Sequence, residues 1–293
     1  MPTIQAQHMA VGLADSVPTA EVKTYTISGS IVLHNNKSTL RKTLTSIRTY
    51  TQGVNFDLYL IDNASKDGSV KIAQEVYPEA KLLCNAENVG FGAAHNRVRG
   101  MLTSKYHCII NPDIILTEES IAKMAAYMDD HPEVALLSPR VVFPKTGEDQ
   151  ILGKRNPKIK YLVASRMRFL KVAEKALDEY AMRDADYSQP FEIENATGCF
   201  MFIRTDVYKR IGGFDERYFL YFEDCDITRA IGKYGKTLYY PYAIVGHEWA
   251  RESKKDTRLL LIQIQSMFKY FSKWSGESLV PWREFTQEVR KSA

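Results

Sequence analysis

The sequence has few cysteines and no close pair of them. Its four, Cys84, Cys108, Cys199 and Cys225, lie far apart, so the chain offers neither a C-x-x-C redox centre nor the paired thiols of a zinc site. Reduced thiols with packing roles in a cytosolic protein are expected. Long apolar runs are missing too: no window approaches the ~18 to 20 residues that cross a bilayer, the densest late run being Leu259 to Ile264. A membrane-spanning helix is therefore not expected. The first 27 residues have no basic start followed by an apolar stretch, so they read as a loose tail rather than a secretory signal. An excess of charge of one sign is nearly absent overall, with 39 Lys and Arg against 35 Asp and Glu. No aromatic stacking pattern accompanies the basic residues, so no nucleic-acid partner is expected.

What is present is enough for a sizeable core: 293 residues, 45% hydrophobic and 25% charged, fit one large α/β domain or one domain plus an appendage. The charge is unevenly placed. Between residues 154 and 175 stand Lys154, Arg155, Lys158, Lys160, Arg166, Arg168, Lys171 and Lys175 against one acid, Glu174. Ile159, Leu162, Val163, Met167, Phe169 and Leu170 lie between them. This spacing predicts an amphipathic helix whose basic rim meets anionic lipid or a pyrophosphate-bearing substrate; an ordinary solvated helix is the alternative.

From residue 28 the pattern alternates. "SGSIVLHNN" reads as a buried strand, followed by Leu40, Leu44 and Ile47 at helical spacing. "FDLYLIDNAS" is a second strand, with Val70, Ala73 and Val76 marking a helix that Pro78 stops. "AKLLCNAENVGFGAAHNRV" is a third strand, turn and helix, and "YHCIINPDI" a fourth strand ahead of a helix carrying Ile121, Met124, Ala125 and Met128. Such alternation implies a mainly parallel sheet flanked by helices, with ligands at the carboxyl ends of the strands. Polar residues fall at those ends: His34 with Asn36, Asp62 with Asn63, Asn88 with Gly90, and Asn111 with Asp113. For each cluster, turn formation or helix capping is the competing explanation.

The Gly90-Phe91-Gly92 turn is ambiguous on its own. In a dinucleotide fingerprint the third glycine would stand where His95 is, which argues against a dehydrogenase. Further on, "ATGCFMFIR" reads as a strand, Thr205 to Ile211 as a short helix, and an aromatic run from Phe214 to Phe222 ends in Glu223, Asp224 and Asp226. "TLYYPYAIVGHE" is a final strand delivering His247.

The order of "LHNN", "IDNASKDGS", "NVGFGAAHN", "NPDIIL" and "GGFDERYFLYFEDCDITRA" with its trailing "VGHE" resembles the inverting family 2 glycosyltransferases of GT-A fold, in particular the bacterial rhamnosyltransferase-like branch. The resemblance covers residues 28–250, leaving 1–27 as a tail and 251–293 as a C-terminal helical segment. It implies a Rossmann-like nucleotide-binding sheet and a nucleoside diphosphate sugar as donor, dTDP-rhamnose or a UDP-linked hexose. The acceptor implied is a growing bacterial surface glycan or lipid-linked glycan, reached at the inner face of the cell membrane with peripheral membrane contact. It further implies that Asp62 binds the base, with His34, Asn36, Asn63 and Asn88 beside it, and that Asn88, Gly90 and Asn96 of "NVGFGAAHN" shape the sugar-nucleotide pocket. Asp113 and His247 would hold Mg2+ or Mn2+. Asn111 contributes to the nucleotide-sugar site but stands where the family usually has a first aspartate, which lowers the expected metal affinity. Asp224 matches the catalytic base, with Glu223 and Asp226 as rivals. The competing classes are a sugar-nucleotide or glycan-binding subunit without catalysis, and a nucleotidyltransferase. The "HNNKST" turn after the first strand lacks the glycine-rich basic signature of the latter.

Overall fold

The computed structural model describes residues 26–150, 154–167, 171–248 and 257–275. Residues 1–25 of the expected tail, part of the basic segment (168–170) and much of the expected C-terminal segment (251–256 and 276–293) lie outside the described residues, while Thr26 and Ile27, expected in the tail, open the first strand. The chain begins with β1 (Thr26–Leu33), α1 (Lys37–Tyr50), β2 (Asn55–Asn63), α2 (Ser69–Val76), β3 (Lys81–Asn85), α3 (Phe91–Asn96) and, after a 3-10 turn, β4 (Tyr106–Ile110). Strands β3, β2, β1 and β4 lie side by side in that order, all parallel. Their register sets Leu33 beside Asp62 and Asn63 beside Asn85, so the polar strand ends share one rim, as the alternating pattern predicts.

Side chains alternate across the strands, and both faces are covered. Ile31, Leu33, Leu58 and Leu60 pack with Leu40, Leu44 and Ile47 of α1, while Val32, Tyr59 and Ile61 pack on the opposite face with Ala94 of α3. Burying both faces explains why these strands read as continuous apolar runs.

The second half is mixed. It contains β5 (Ile114–Leu116), α4 (Ser120–Asp130), β6 (Val134–Val142), α5 (Ile159–Arg166), α6 (Lys171–Tyr180), β7 (Phe191–Glu192), β8 (Phe200–Arg204), α7 (Thr205–Arg210), α8 (Glu223–Ile231), β9 (Lys236–His247) and α9 (Thr257–Trp274). The sheet continues from β4 through β8, β6 and β9 to β5, with β7 also on β9. β8 runs antiparallel between β4 and β6, while β6 and β9 are parallel. That reversal brings the Gly198–Cys199 backbone back to the rim, beside the end of β4.

The single amphipathic helix expected over 154–175 does not form. Pro157 lacks a donor and disfavours helix in the residue before it, and α5 starts only at Ile159. The faces are also different from those expected: Tyr161 and Ala164 are buried, Ile159 and Val163 are exposed, and Lys154 is interior rather than on a basic rim. At the other end of the chain, α9 seats Tyr270 and Trp274 against Tyr218, Phe222 and Cys225 around α8.

Candidate active site

The rim after β1 and β2 is a lattice of short hydrogen bonds. His34 Nδ1 lies 2.8 Å from the Asn63 carbonyl and its main-chain N–H donates to Asn36 Oδ1 at 2.6 Å. Asn36 N–H donates to Ser69 Oγ, and Asn35, held at a φ of 60°, accepts from Lys66 N–H. Asp62 is 4% exposed and both its oxygens accept from Ser65 N–H, at 3.3 and 3.1 Å. The turn-forming explanation is thus realised at Asp62, yet a carboxylate has about four lone-pair sites, so acceptors remain for a ligand.

Asn63, Asn88 and Gly90 form one unit. Asn63 Nδ2 donates to Asn88 Oδ1 at 3.1 Å and to the Gly90 carbonyl at 3.0 Å, Asn85 Nδ2 donates to Asn63 Oδ1 at 2.7 Å, and Gly90 N–H donates to Asn88 Oδ1 at 3.0 Å. Both Asn63 amide hydrogens are used by these bonds, so the side chain positions the turn, while its Oδ1 keeps one acceptor site. Gly90 has a φ of 92°, and a Cβ there would fall 2.4 Å from the Phe219 carbonyl oxygen, a separation no side chain tolerates. The bond from Phe91 N–H to that same carbonyl, at 3.0 Å, shows what the glycine permits: close approach of the 214–219 loop. Asn96 completes the seam, its Nδ2 donating to Phe214 O and Glu216 Oε1 and its Oδ1 accepting from Phe214 N–H and Tyr208 OH. The glycine turn therefore fastens two loops together, and α3, six residues long, is too short to present a strong helix dipole to a pyrophosphate.

Asp113 and His247 come together from elements far apart in sequence, with Asp113 Oδ1 3.4 Å from His247 Nε2. Gln150, which sequence reasoning missed, sets the histidine's orientation. Its Nε2 donates to the His247 carbonyl at 2.6 Å, so its Oε1 is the atom facing His247 Nδ1 at 3.0 Å. An amide oxygen only accepts, so Nδ1 carries a hydrogen and Nε2 is the nitrogen left to face Asp113. One carboxylate oxygen and one imidazole nitrogen converging this way fit a divalent cation whose other ligands come from phosphate and water. Among the described residues no group of three or more His, Cys, Asp or Glu could hold a metal ion without such outside ligands. Asn111 is placed nearby, its N–H donating to the Cys199 carbonyl at 2.9 Å.

The three acids at the start of α8 separate into distinct environments. Tyr221 and Phe222 precede them with φ values of 68° and 66°, two consecutive non-glycine residues in the left-handed region, an arrangement that costs energy and clusters at functional sites. This hook turns the acids inward. Asp226 is 2% exposed and fully engaged: Trp274 Nε1 donates to Oδ1 at 2.8 Å, Lys273 Nζ to Oδ2 at 2.8 Å, and Tyr218 OH to Oδ1 at 3.4 Å. It anchors α9. Glu223 is buried with Oε2 unpartnered. Burial first, and the neighbouring Asp224 second, push its pKa up to about 8, so it keeps its proton at neutral pH. Asp224 retains partial exposure. Burial raises its pKa, opposed by N–H bonds from Cys225 at 2.8 Å and Gly198 at 3.3 Å. A carboxylate with a raised pKa and an open approach is what proton abstraction requires.

Residues 30–212 match the family model described as Glycosyl transferase family 2. The chain belongs to that family. Among curated proteins it is similar to the N-acetylglucosaminyl-diphospho-decaprenol L-rhamnosyltransferases of two Mycobacterium tuberculosis strains, CDC 1551 / Oshkosh and ATCC 25618 / H37Rv. Each is 27% identical over 224 residues, 67% of this chain and 68% of the relative. Among solved structures it resembles the mannosyltransferase PcManGT of Pyrobaculum calidifontis in complex with GDP-Man and Mn2+, with a TM-score of 0.60 at 16% identity over 88% of this chain and 66% of that one. It also resembles GalNAc-T7 with UDP, GalNAc and Mn2+, with a TM-score of 0.59 at 17% identity over 91% and 54%. At such identities the structural likeness establishes the GT-A glycosyltransferase fold, the curled and mostly parallel sheet described above. This family 2 chain thus spans two thirds or less of either solved chain.

Proposed function

We propose that this family 2 chain transfers one sugar from a nucleoside diphosphate donor to a hydroxyl of a lipid-linked glycan, with inversion, and that Asp224 is the general base. The observation that carries the reading is the Gly198–Cys199 backbone. It ties Asp224 to the rim on one side and Asn111, two residues from Asp113, on the other. The group that takes a proton and the group that faces the diphosphate are thereby held to one short segment. As the acceptor oxygen bonds to the anomeric carbon from the face opposite the diphosphate, its proton passes to Asp224, and the anomeric carbon–oxygen bond breaks with its electron pair going to the diphosphate. A divalent cation such as Mg2+ or Mn2+, held by Asp113 and His247, would supply charge neutralisation for that leaving group. Asp62 supports recognition of the base, with His34, Asn36 and Asn88 around it.

The donor that best accords with the mycobacterial relatives is dTDP-rhamnose, and the acceptor an N-acetylglucosamine on a polyprenyl diphosphate. Release of nucleoside diphosphate from a panel of dTDP- and UDP-sugars, with and without such an acceptor, tests this. Acceptor-dependent release from dTDP-rhamnose supports it; preference for a UDP-hexose replaces the donor, and binding without turnover of any donor favours a non-catalytic subunit.

The acceptor also gives a reason for the exposed apolar residues Ile159 and Val163 on α5, Val172 on α6, and Leu261 and Phe268 on α9. They stand among Lys158, Arg166, Lys171 and Lys175, and α5 meets the cluster around Tyr270 through Leu162. We read this as a face that rests on the anionic inner leaflet of the cell membrane and presents the site to a lipid-linked sugar. No helix among the described residues is long and apolar enough to cross the bilayer. Binding to anionic vesicles that weakens with salt supports this face; indifference to them at low ionic strength removes it.

A further inference from the structure

Lys154 is 3% exposed, although the sequence places it at the head of a basic, seemingly solvated run. Its main chain is clamped: its N–H donates to the Tyr180 carbonyl at 2.9 Å, and its carbonyl accepts from Glu194 and Asn195 N–H at 2.8 and 2.9 Å. The side chain therefore enters the interior from a fixed frame. Its Nζ lies 5.2 Å from the centroid of the Tyr239 ring, and the Cys199 thiol is an ionisable neighbour. Among the described residues the ammonium has no carboxylate partner and no hydrogen-bond acceptor. It is also not one of the sealed side-chain atoms that lack a partner, such as His95 Nε2, Glu223 Oε2 and Thr237 Oγ1. Its Nζ therefore keeps a trace of solvent contact in an otherwise buried side chain.

The surroundings say what could approach. Cys199, next to Lys154, is also under the influence of Asp113 and Asp224, and its carbonyl holds Asn111. Lys154 is thus a neighbour of the segment that links the two acids of the site, and it follows Gln150, which orients His247, by four residues. Burial pushes its pKa down to about 8, so it is mostly charged at neutral pH. A buried charge lacking a partner is unfavourable for the empty protein, and groups perturbed in this way cluster where a ligand completes them. The rim is otherwise acidic, with Asp62, Asp113 and Asp224 on it, while a diphosphate brings negative charge that needs a positive partner.

We propose that Lys154 is a ligand-binding residue for the donor's diphosphate, a fixed cation beside the Gly198–Cys199 segment. The assignment rests on the reading of this rim as the donor site. It gives the protein a source of positive charge that does not depend on recruiting a metal, in a site where Asn111 is neutral.

Full-length wild type and Lys154→Met should be titrated with dTDP, UDP and the corresponding nucleosides, calorimetrically for the diphosphates and by ligand-observed NMR for the nucleosides, each with Mn2+ and with chelator. The expected result is an affinity for the diphosphates lowered about 10- to 100-fold, the equivalent of one charge-assisted hydrogen bond. Nucleoside affinity should stay unchanged, the melting temperature should be at or above that of wild type, and Lys154→Arg should recover part of the loss. The diphosphate defect should be largest with chelator present. Unchanged diphosphate affinity in Lys154→Met overturns the proposal, and so does an equal loss for nucleosides and diphosphates, which would mark a structural role. Failure of the wild type to bind any nucleoside diphosphate overturns the donor-site reading itself, and the proposal with it.

Discussion

Replacing Lys154 by methionine should make the empty protein more stable, by an amount that depends on pH in a defined direction. The ammonium has a pKa of 10.5 when exposed and about 8 in the folded chain, through burial. The unfolded chain therefore holds this proton more tightly than the folded one. Sign and window follow: the wild type carries the full cost below about pH 8, recovers stability as pH rises from there to 10.5, and carries none above it. At about 1.4 kcal/mol per pKa unit, the cost is about 3 kcal/mol at pH 7 and about 1.4 kcal/mol at pH 9.5. Methionine removes the charge while keeping a long flexible chain in the same space, so Lys154→Met should exceed the wild type by these amounts. Urea unfolding of both proteins at the two pH values, without nucleotide, measures the difference, and groups common to both cancel. A variant less stable than wild type at pH 7, or an advantage identical at both pH values, would refute the reasoning, because either result means the ammonium has a partner in the folded state. A saturating nucleoside diphosphate should narrow the gap, since a ligand held more tightly by the wild type stabilises it more.

Asp224→Asn should lower turnover by about 10² to 10⁴ while leaving donor affinity nearly intact. Because burial raises the Asp224 pKa above 3.8 and the base must be unprotonated, wild-type kcat should fall with decreasing pH through a value above 3.8; a kcat that is flat down to that pH would exclude Asp224. Asp226→Asn should instead cost about 3 to 5 kcal/mol in stability, the range for breaking a buried ion pair, with kcat per folded molecule retained; a stable but inactive variant would move the base to Asp226. Asp62→Ala should weaken dTDP and UDP binding by about 1 to 3 kcal/mol, and equal affinities in calorimetry would remove Asp62 from the base site.

The first four strands were legible because burial on both faces demands near-continuous apolar runs, and the polar strand ends then fall on one rim by register. The second half was less so. Alternation implies a mainly parallel sheet without saying where it reverses: β8 runs antiparallel, and nothing local in "FMFIR" encodes strand direction. The basic segment misled for a related reason: a count of lysines and arginines does not reveal which of them folds inward, and the clamp on Lys154 comes from Tyr180, Glu194 and Asn195, far along the chain. Gln150 carries no pattern at all and becomes visible only through its bonds to His247. The part that the Asn63 and Asn96 amides take in holding loops together is likewise visible only through their bonds.

The acids of "FEDCDI" show most clearly what sequence could and could not decide. Successive residues on a helix are about 100° apart, so Asp224 and Asp226 project about 200° apart and cannot serve the same cavity, while Glu223 lies about 100° from Asp224. That geometry follows from the sequence once a helix start is granted at Glu223. What it does not fix is which side faces the rim. The answer comes from two distant partners: the Gly198 N–H on one side of α8 and the Trp274 indole with Lys273 on the other. By binding Asp226, α9 orients α8, and the same rotation turns Asp224 toward Gly198 and the rim. The C-terminal helix is therefore more than an appendage to the sheet, because its contact with Asp226 determines which of the neighbouring acids faces Gly198 and the rim.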